Sequence, residues 1–100
     1  MVKHLKENEF EQFVKENELC LVDFYADWCN PCKMLGYELE ELANERNLAV
    51  GKIDVEEAEE LAIKYQIRNI PFVLIFKGGK QVKSIIGYRS KDELIEEIYG

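Results

Sequence analysis

The stretch from Leu19 to Leu35 leaves this chain few ways to fold, because it passes from an apolar run through a tight turn into a helical pattern carrying two thiols. Residues Leu19 to Ala26 are apolar at seven of eight positions, and a short unbroken apolar run suits a central strand covered on both faces. Asp23 is the single exception. Cys29-Asn30-Pro31-Cys32 follows, two cysteines three apart with a proline that has no N–H to lose in a first helical turn. That is the spacing of a redox pair. From Cys32 the apolar residues recur at Leu35, Leu39 and Leu42, while Lys33, Glu40, Glu41 and Asn44 fall on the far side. Cys29 is therefore expected at or near a helix N-cap and Cys32 at the head of a buried stripe.

Those positions imply different work for the two thiols. A helix N-terminus offers unpaired N–H groups and roughly half a positive charge, which favours a thiolate at Cys29. Cys32, turned toward the apolar stripe, is expected to stay a thiol until needed. One attacks and the other resolves.

A length of 100 residues amounts to one compact domain, expected to span 1–100. With 47% hydrophobic and 33% charged residues the composition is that of an ordered globular chain. A formal charge of -7 argues against nucleic acid or an anionic membrane as partner. No segment reaches the length of an apolar membrane span, and Met-Val-Lys-His-Leu-Lys-Glu lacks the apolar core of a signal peptide, so a cytoplasmic protein is expected; a monomer is expected as well. Three cysteines are too few, and odd, for a structural disulfide framework, whereas one Cys-x-x-Cys in a reducing compartment suits catalysis.

Read in order, Val2 to Leu5 suits a short strand. Asn8 to Glu11 fits a capped helix start with Phe10, Phe13 and Val14 on one face, ending near Asn17. After the central strand and a long helix reaching about Asn47, Leu48 to Val55 reads as a strand interrupted by Lys52 and Asp54. The acidic run Glu56 to Glu60 reads as a solvated helix start leading into Ala58, Leu61, Ala62 and Tyr65. Phe72 to Phe76 is a second apolar strand, and Gly78-Gly79 makes a hairpin to a more alternating and hence more exposed strand, Gln81 to Ile86. Ser90-Lys-Asp-Glu93 is a capping box for a last helix with Leu94, Ile95 and Ile98 inward. The order βαβαβαββα implies an α/β fold, a central mixed sheet with helices on both faces and its chemistry beyond the carboxyl ends of the parallel strands.

In sequence order, Val22-Asp23-Phe24, Ala26-Asp27-Trp28-Cys29-Asn30-Pro31-Cys32-Lys33, Ile53-Asp54-Val55, Ile67-Arg68-Asn69-Ile70-Pro71, Phe76-Lys77-Gly78-Gly79 and Gly87 resemble the thioredoxin family over essentially the whole chain. The Trp before the cysteines and the Ile-Pro downstream make the match specific. The resemblance implies the thioredoxin fold and a thiol-disulfide oxidoreductase that reduces protein disulfides, needs no bound cofactor and is recharged by a thioredoxin reductase. It also implies that Asp23 assists proton transfer at Cys32, with a merely tolerated buried charge as the alternative. Burial would raise the Asp23 pKa and a nearby cation lower it; Lys52 is the candidate, either as that partner or as a simple strand lysine. Ile70-Pro71 matches the family's cis-proline, whose preceding backbone pairs with an extended substrate segment, with a plain strand start as the alternative. Trp28 and Gly87 match the other sides of that groove, with a core Trp as the alternative for Trp28.

Cys20 lies roughly 20 Å of strand away from Cys29, and reads as a small buried hydrophobe. His4 points to no catalytic partner. Two cysteines supply half of a structural zinc shell, so no metal is expected. The chain departs from the family in three places. Asn30 replaces a glycine, and with Pro31 it tunes the thiolate; its side chain can compete for the N–H groups around Cys29. Tyr37, after Gly36, stands where a kinking proline is usual, so the helix is expected to run straighter or bend at the glycine. Phe72 replaces a small polar residue and is placed to reshape the groove. The rival readings are a glutaredoxin-like or isomerase-like redox protein and a binding or assembly module.

Overall fold

A computed structural model describes residues 1–100. The elements are β1 Val2–His4, α1 Phe10–Glu16, β2 Leu19–Tyr25, α2 Asn30–Arg46, β3 Ala49–Asp54, α3 Glu59–Lys64, β4 Phe72–Lys77, β5 Lys80–Ile86 and α4 Lys91–Tyr99. Single 3-10 turns, Glu7–Glu9 and Val55–Glu57, lead into α1 and α3. The strands form one sheet in the order β1-β3-β2-β4-β5. β3 runs parallel to both β1 and β2, β4 is antiparallel to β2, and β5 is antiparallel to β4. The element order and the mixed sheet match the sequence expectation.

Successive side chains of a strand point to opposite faces, and β2 serves two cores at once. Cys20, Val22 and Phe24 pack with Phe10, Phe13 and Val14 of α1 and with Leu61 of α3. Leu21 packs with Leu35, Leu39 and Leu42 of α2 and with Leu94 and Ile98 of α4. This two-sided burial is why β2 is nearly all apolar. Helices of seven and six residues such as α1 and α3 are marginal in isolation. Their stability comes from side chains such as Phe10 and Leu61, each contributing about 1.5–3 kcal/mol when buried.

Local signals explain several ends. Ser90 caps α4 as expected, its hydroxyl accepting from the Glu93 N–H at 3.2 Å while the Glu93 carboxylate accepts from the Ser90 N–H at 3.0 Å. Leu94 and Ile98 are buried there, and Ile95 is half-buried against the same core. Asn47 closes α2 in the left-handed region at φ 53. Gly78 and Gly79 turn the hairpin at φ 59 and 81, which side chains resist.

Two expectations need correction. The first helical turn begins before Asn8: the Glu9 carboxylate accepts the Lys6 N–H at 2.8 Å, so the chain enters the turn two residues earlier. β5 is the more exposed strand expected, but its burial does not alternate. It is an edge strand on which only Ile85 is buried. Its register with β4 shifts between Ile75↔Lys83 and Phe76↔Gln81, leaving Val82 as the extra residue of a bulge, and a bulge breaks the period of two.

Candidate active site

β2 delivers the chain to the site and α2 begins it. The Cys29 N–H donates to the Ala26 carbonyl at 3.2 Å, closing the turn after the strand. Cys29 is the N-cap of α2 in extended conformation, and its sulfur accepts the Cys32 N–H at 3.2 Å. The N-cap expectation holds. Pro31 sits in the first helical turn, where a missing N–H costs nothing. Cys29 and Cys32 are joined by a disulfide with their Cα atoms 5.2 Å apart, and both are buried with Ala26, against Tyr25, Val55 and Ile70.

Asp23 is wholly buried, and neither carboxylate oxygen has a hydrogen-bond partner. Opposite it in the β2–β3 register is Lys52, whose Nζ stands 3.7 Å from Oδ2. That separation makes Lys52 a neighbouring charge and not a hydrogen-bond donor. Burial pushes the Asp23 pKa up from 3.8 to about 6, with the Lys52 charge pulling the other way. Of the two readings left open for Lys52, geometry favours the partner. Its ammonium also lies 4.7 Å from the centroid of the Tyr25 ring, and the Tyr25 hydroxyl reaches His4 Nδ1 at 3.5 Å. Burial, then the carboxylates of Asp54, Asp27, Glu57 and Asp23, raise the Tyr25 pKa.

Trp28 is 69% exposed, which removes the core reading, and its indole N–H donates to Glu56 Oε2 at 3.0 Å. Glu56 is exposed in the first turn of the Val55–Glu57 segment, as the solvated run implies, and it also carries the Trp28 contact; Asp54 turns that segment by accepting the Glu56 N–H at 2.9 Å. The Ile70–Pro71 peptide is cis. Ile70 packs against the thiol cluster, and the Gly87 N–H donates to the Pro71 carbonyl at 2.9 Å, so Pro71 and Gly87 are adjacent.

The three departures resolve unevenly. Asn30 is exposed and its side chain takes none of the N–H groups around Cys29, so the expected competition is absent. Helix α2 runs unbroken through Gly36 and an exposed Tyr37. Phe72 does not shape the groove: it is buried among Phe10, Phe24 and Phe76 on the α1 and α3 face, because its register with Phe24 fixes which way it points. Cys20 is a free thiol within the same core, its pKa pushed up to about 11 by burial, as befits an inert hydrophobe. No three His, Cys, Asp or Glu side chains gather where they could hold a metal ion, and no helix is long and apolar enough to cross a membrane. Sequence reasoning missed the places of Tyr25 and Glu56 beside the site; only the acidic run after Asp54 hinted at one of them.

A dithiol-disulfide pair at a helix N-terminus, at the carboxyl end of a central parallel strand and beside a cis-proline, defines a thiol-disulfide oxidoreductase. The thioredoxin family model matches residues 1–99. The chain is 45% identical over 100 residues to a thioredoxin of Listeria monocytogenes, covering 98% of this chain and 96% of that one. It is 41% identical over 91 residues to a bifunctional thioredoxin reductase/thioredoxin of Mycobacterium leprae, covering 89% of this chain and 20% of that one. A solved mutant thioredoxin from Halobacterium salinarum superposes with TM-score 0.91 at 38% identity, covering 97% of this chain and 87% of that one. The chain belongs to the thioredoxin family, has the thioredoxin fold and is a protein-disulfide oxidoreductase that works by dithiol-disulfide exchange through Cys29 and Cys32.

Proposed function

We propose that residues 1–100 act as a single domain, as a cytoplasmic monomer, reducing client-protein disulfides in two steps. The Cys29 thiolate attacks one client sulfur and the other leaves as a thiolate. Cys32, once deprotonated, attacks the Cys29 sulfur, releasing the second client thiolate and leaving the Cys29–Cys32 disulfide. Asp23 accepts the Cys32 proton, and Lys52 adjusts the pH at which it does so. Trp28, Ile70, Pro71 and Gly87 form the client groove, with the Ile70 backbone pairing an extended client segment, while Asn30 and Pro31 shape the turn that presents Cys29.

The observation that carries this reading is the Cys29 sulfur held at the α2 N-cap by the Cys32 N–H, where helix N–H groups favour negative charge. A buried carboxyl without a hydrogen-bond partner and with a pKa of about 6 supports the role of Asp23, since an acid that titrates near neutrality can both take and give a proton. The joined reductase and thioredoxin in the Mycobacterium leprae relative support a thioredoxin reductase as the source of electrons.

Insulin reduction tests the reading. Turnover is expected with a thioredoxin reductase and its electron donor, and not with glutathione and glutathione reductase. The opposite result favours a glutaredoxin-like or isomerase-like protein, and inactivity in both favours a binding module.

A further inference from the structure

Gly36 occupies the buried stripe of α2 one turn past Cys32. Glycine is a poor helix former, and α2 continues to Arg46 beyond it, so neither a cap nor a break explains its presence. A Cβ placed there would stand 3.1 Å from Nζ of Lys52. That ammonium also faces the Asp23 carboxylate at 3.7 Å and the Tyr25 ring at 4.7 Å. The Lys52 side chain is 16% exposed and so keeps some contact with solvent.

We propose that Gly36 is a positioning residue for the Asp23–Lys52 pair, its missing side chain forming the slot through which the ammonium reaches the buried carboxylate. Lys52 from β3 is the only charged group that acts on Asp23. β4 opposes Asp23 with Val73, and α2 carries Cys32 on the stripe that holds Gly36. Tyr25 and then His4 from β1 lie beyond the ammonium, and Asp27, Asp54 and Glu57 act on Tyr25. A Cβ at Gly36 crowds the tip of a flexible side chain, which can retreat toward the solvent it already touches. The carboxyl then loses part of its one nearby cation and keeps its proton to higher pH. The catalytic consequence rests on the proton-transfer reading of Asp23; the geometry of the pair does not.

The test is Gly36→Ala in the oxidised protein, following the Asp23 carboxyl carbon by NMR through a pH titration. The midpoint is expected to rise by about half a pH unit, a fraction of what a full opposite charge at this distance supplies. In a Lys52→Met background the same substitution is expected to shift nothing, which isolates the pair from any change in the helix. A midpoint that stays put with Lys52 present overturns the proposal, as does an equal shift with Lys52 absent. The pH profile of client release from the mixed disulfide is expected to move with the midpoint. A moved midpoint with an unmoved profile keeps Gly36 as the positioning residue and overturns the proton-transfer role of Asp23.

Discussion

On the α1 and α3 face of the sheet the buried layer is rich in rings, with Phe10, Phe13, Phe24, Phe72 and Phe76 interlocked, and no charged group enters it. Phe10 packs edge-on to Phe76 with ring centroids 5.7 Å apart. On the α2 and α4 face the layer is aliphatic, built from Leu21, Leu35, Leu39, Leu42, Val50 and Ile85, and toward the thiols Asp23 and Lys52 interrupt it. The same strands build both layers: β2 sends Phe24 one way and Asp23 the other. One face is closed and spends all its burial on stability, whereas the other gives up stability around a buried carboxyl that has a neighbouring cation but no hydrogen-bond partner.

The widest separation between the faces should come from the thiols. Cys32→Ser is expected to abolish multiple turnover and accumulate mixed disulfides with clients, while Cys29→Ser traps none; non-reducing gels of captured clients check this. Equal trapping by both variants would erase the division of roles.

The closed face should answer only in stability. Phe24→Ala removes a fully buried ring and is expected to cost about 3–5 kcal/mol in urea unfolding, equally at all pH values. The client-release rate of the folded fraction should stay the same. A pH-dependent loss would mean the two layers are coupled through β2.

Asp23→Asn sharpens the contrast with a signed pH dependence. Below about pH 3.8 the carboxyl is protonated in the folded and unfolded chain alike. Between 3.8 and about 6 the unfolded chain releases its proton while the folded one retains it, so native stability falls as pH rises, and the loss is complete above about 6. The Asn variant lacks this titration. Its stability relative to the native protein is therefore expected to improve by about 3 kcal/mol from acid to neutral pH, with slower client release near neutrality. Parallel unfolding curves at every pH would show a carboxyl that is not desolvated.

The smallest effect is expected at the rim. Because the Asn30 side chain takes no donor from Cys29, Asn30→Gly should leave the Cys29 thiolate titration within about half a pH unit; a captured hydrogen bond would move it by one to two. Thiolate absorbance measures the difference.

Much of this arrangement is legible within a few residues of itself. The Cys29 cap with Pro31 behind it, the Gly78-Gly79 turn and the Ser90 box depend on contacts no more than about four residues apart, and the run Leu19 to Ala26 carries its two-sided burial in its own composition, so their signals survive in the sequence. What lay beyond reach depends on distant partners. The tertiary structure alone decided that Phe72 faces the aromatic core, that Val82 becomes a bulge, and that Glu56 holds a Trp 28 residues away. It also decided that Lys52 stands opposite Asp23 beneath a glycine of α2. The alternation of each strand is written in its own residues, but which residue of the next strand stands opposite is chosen by the register of the whole sheet.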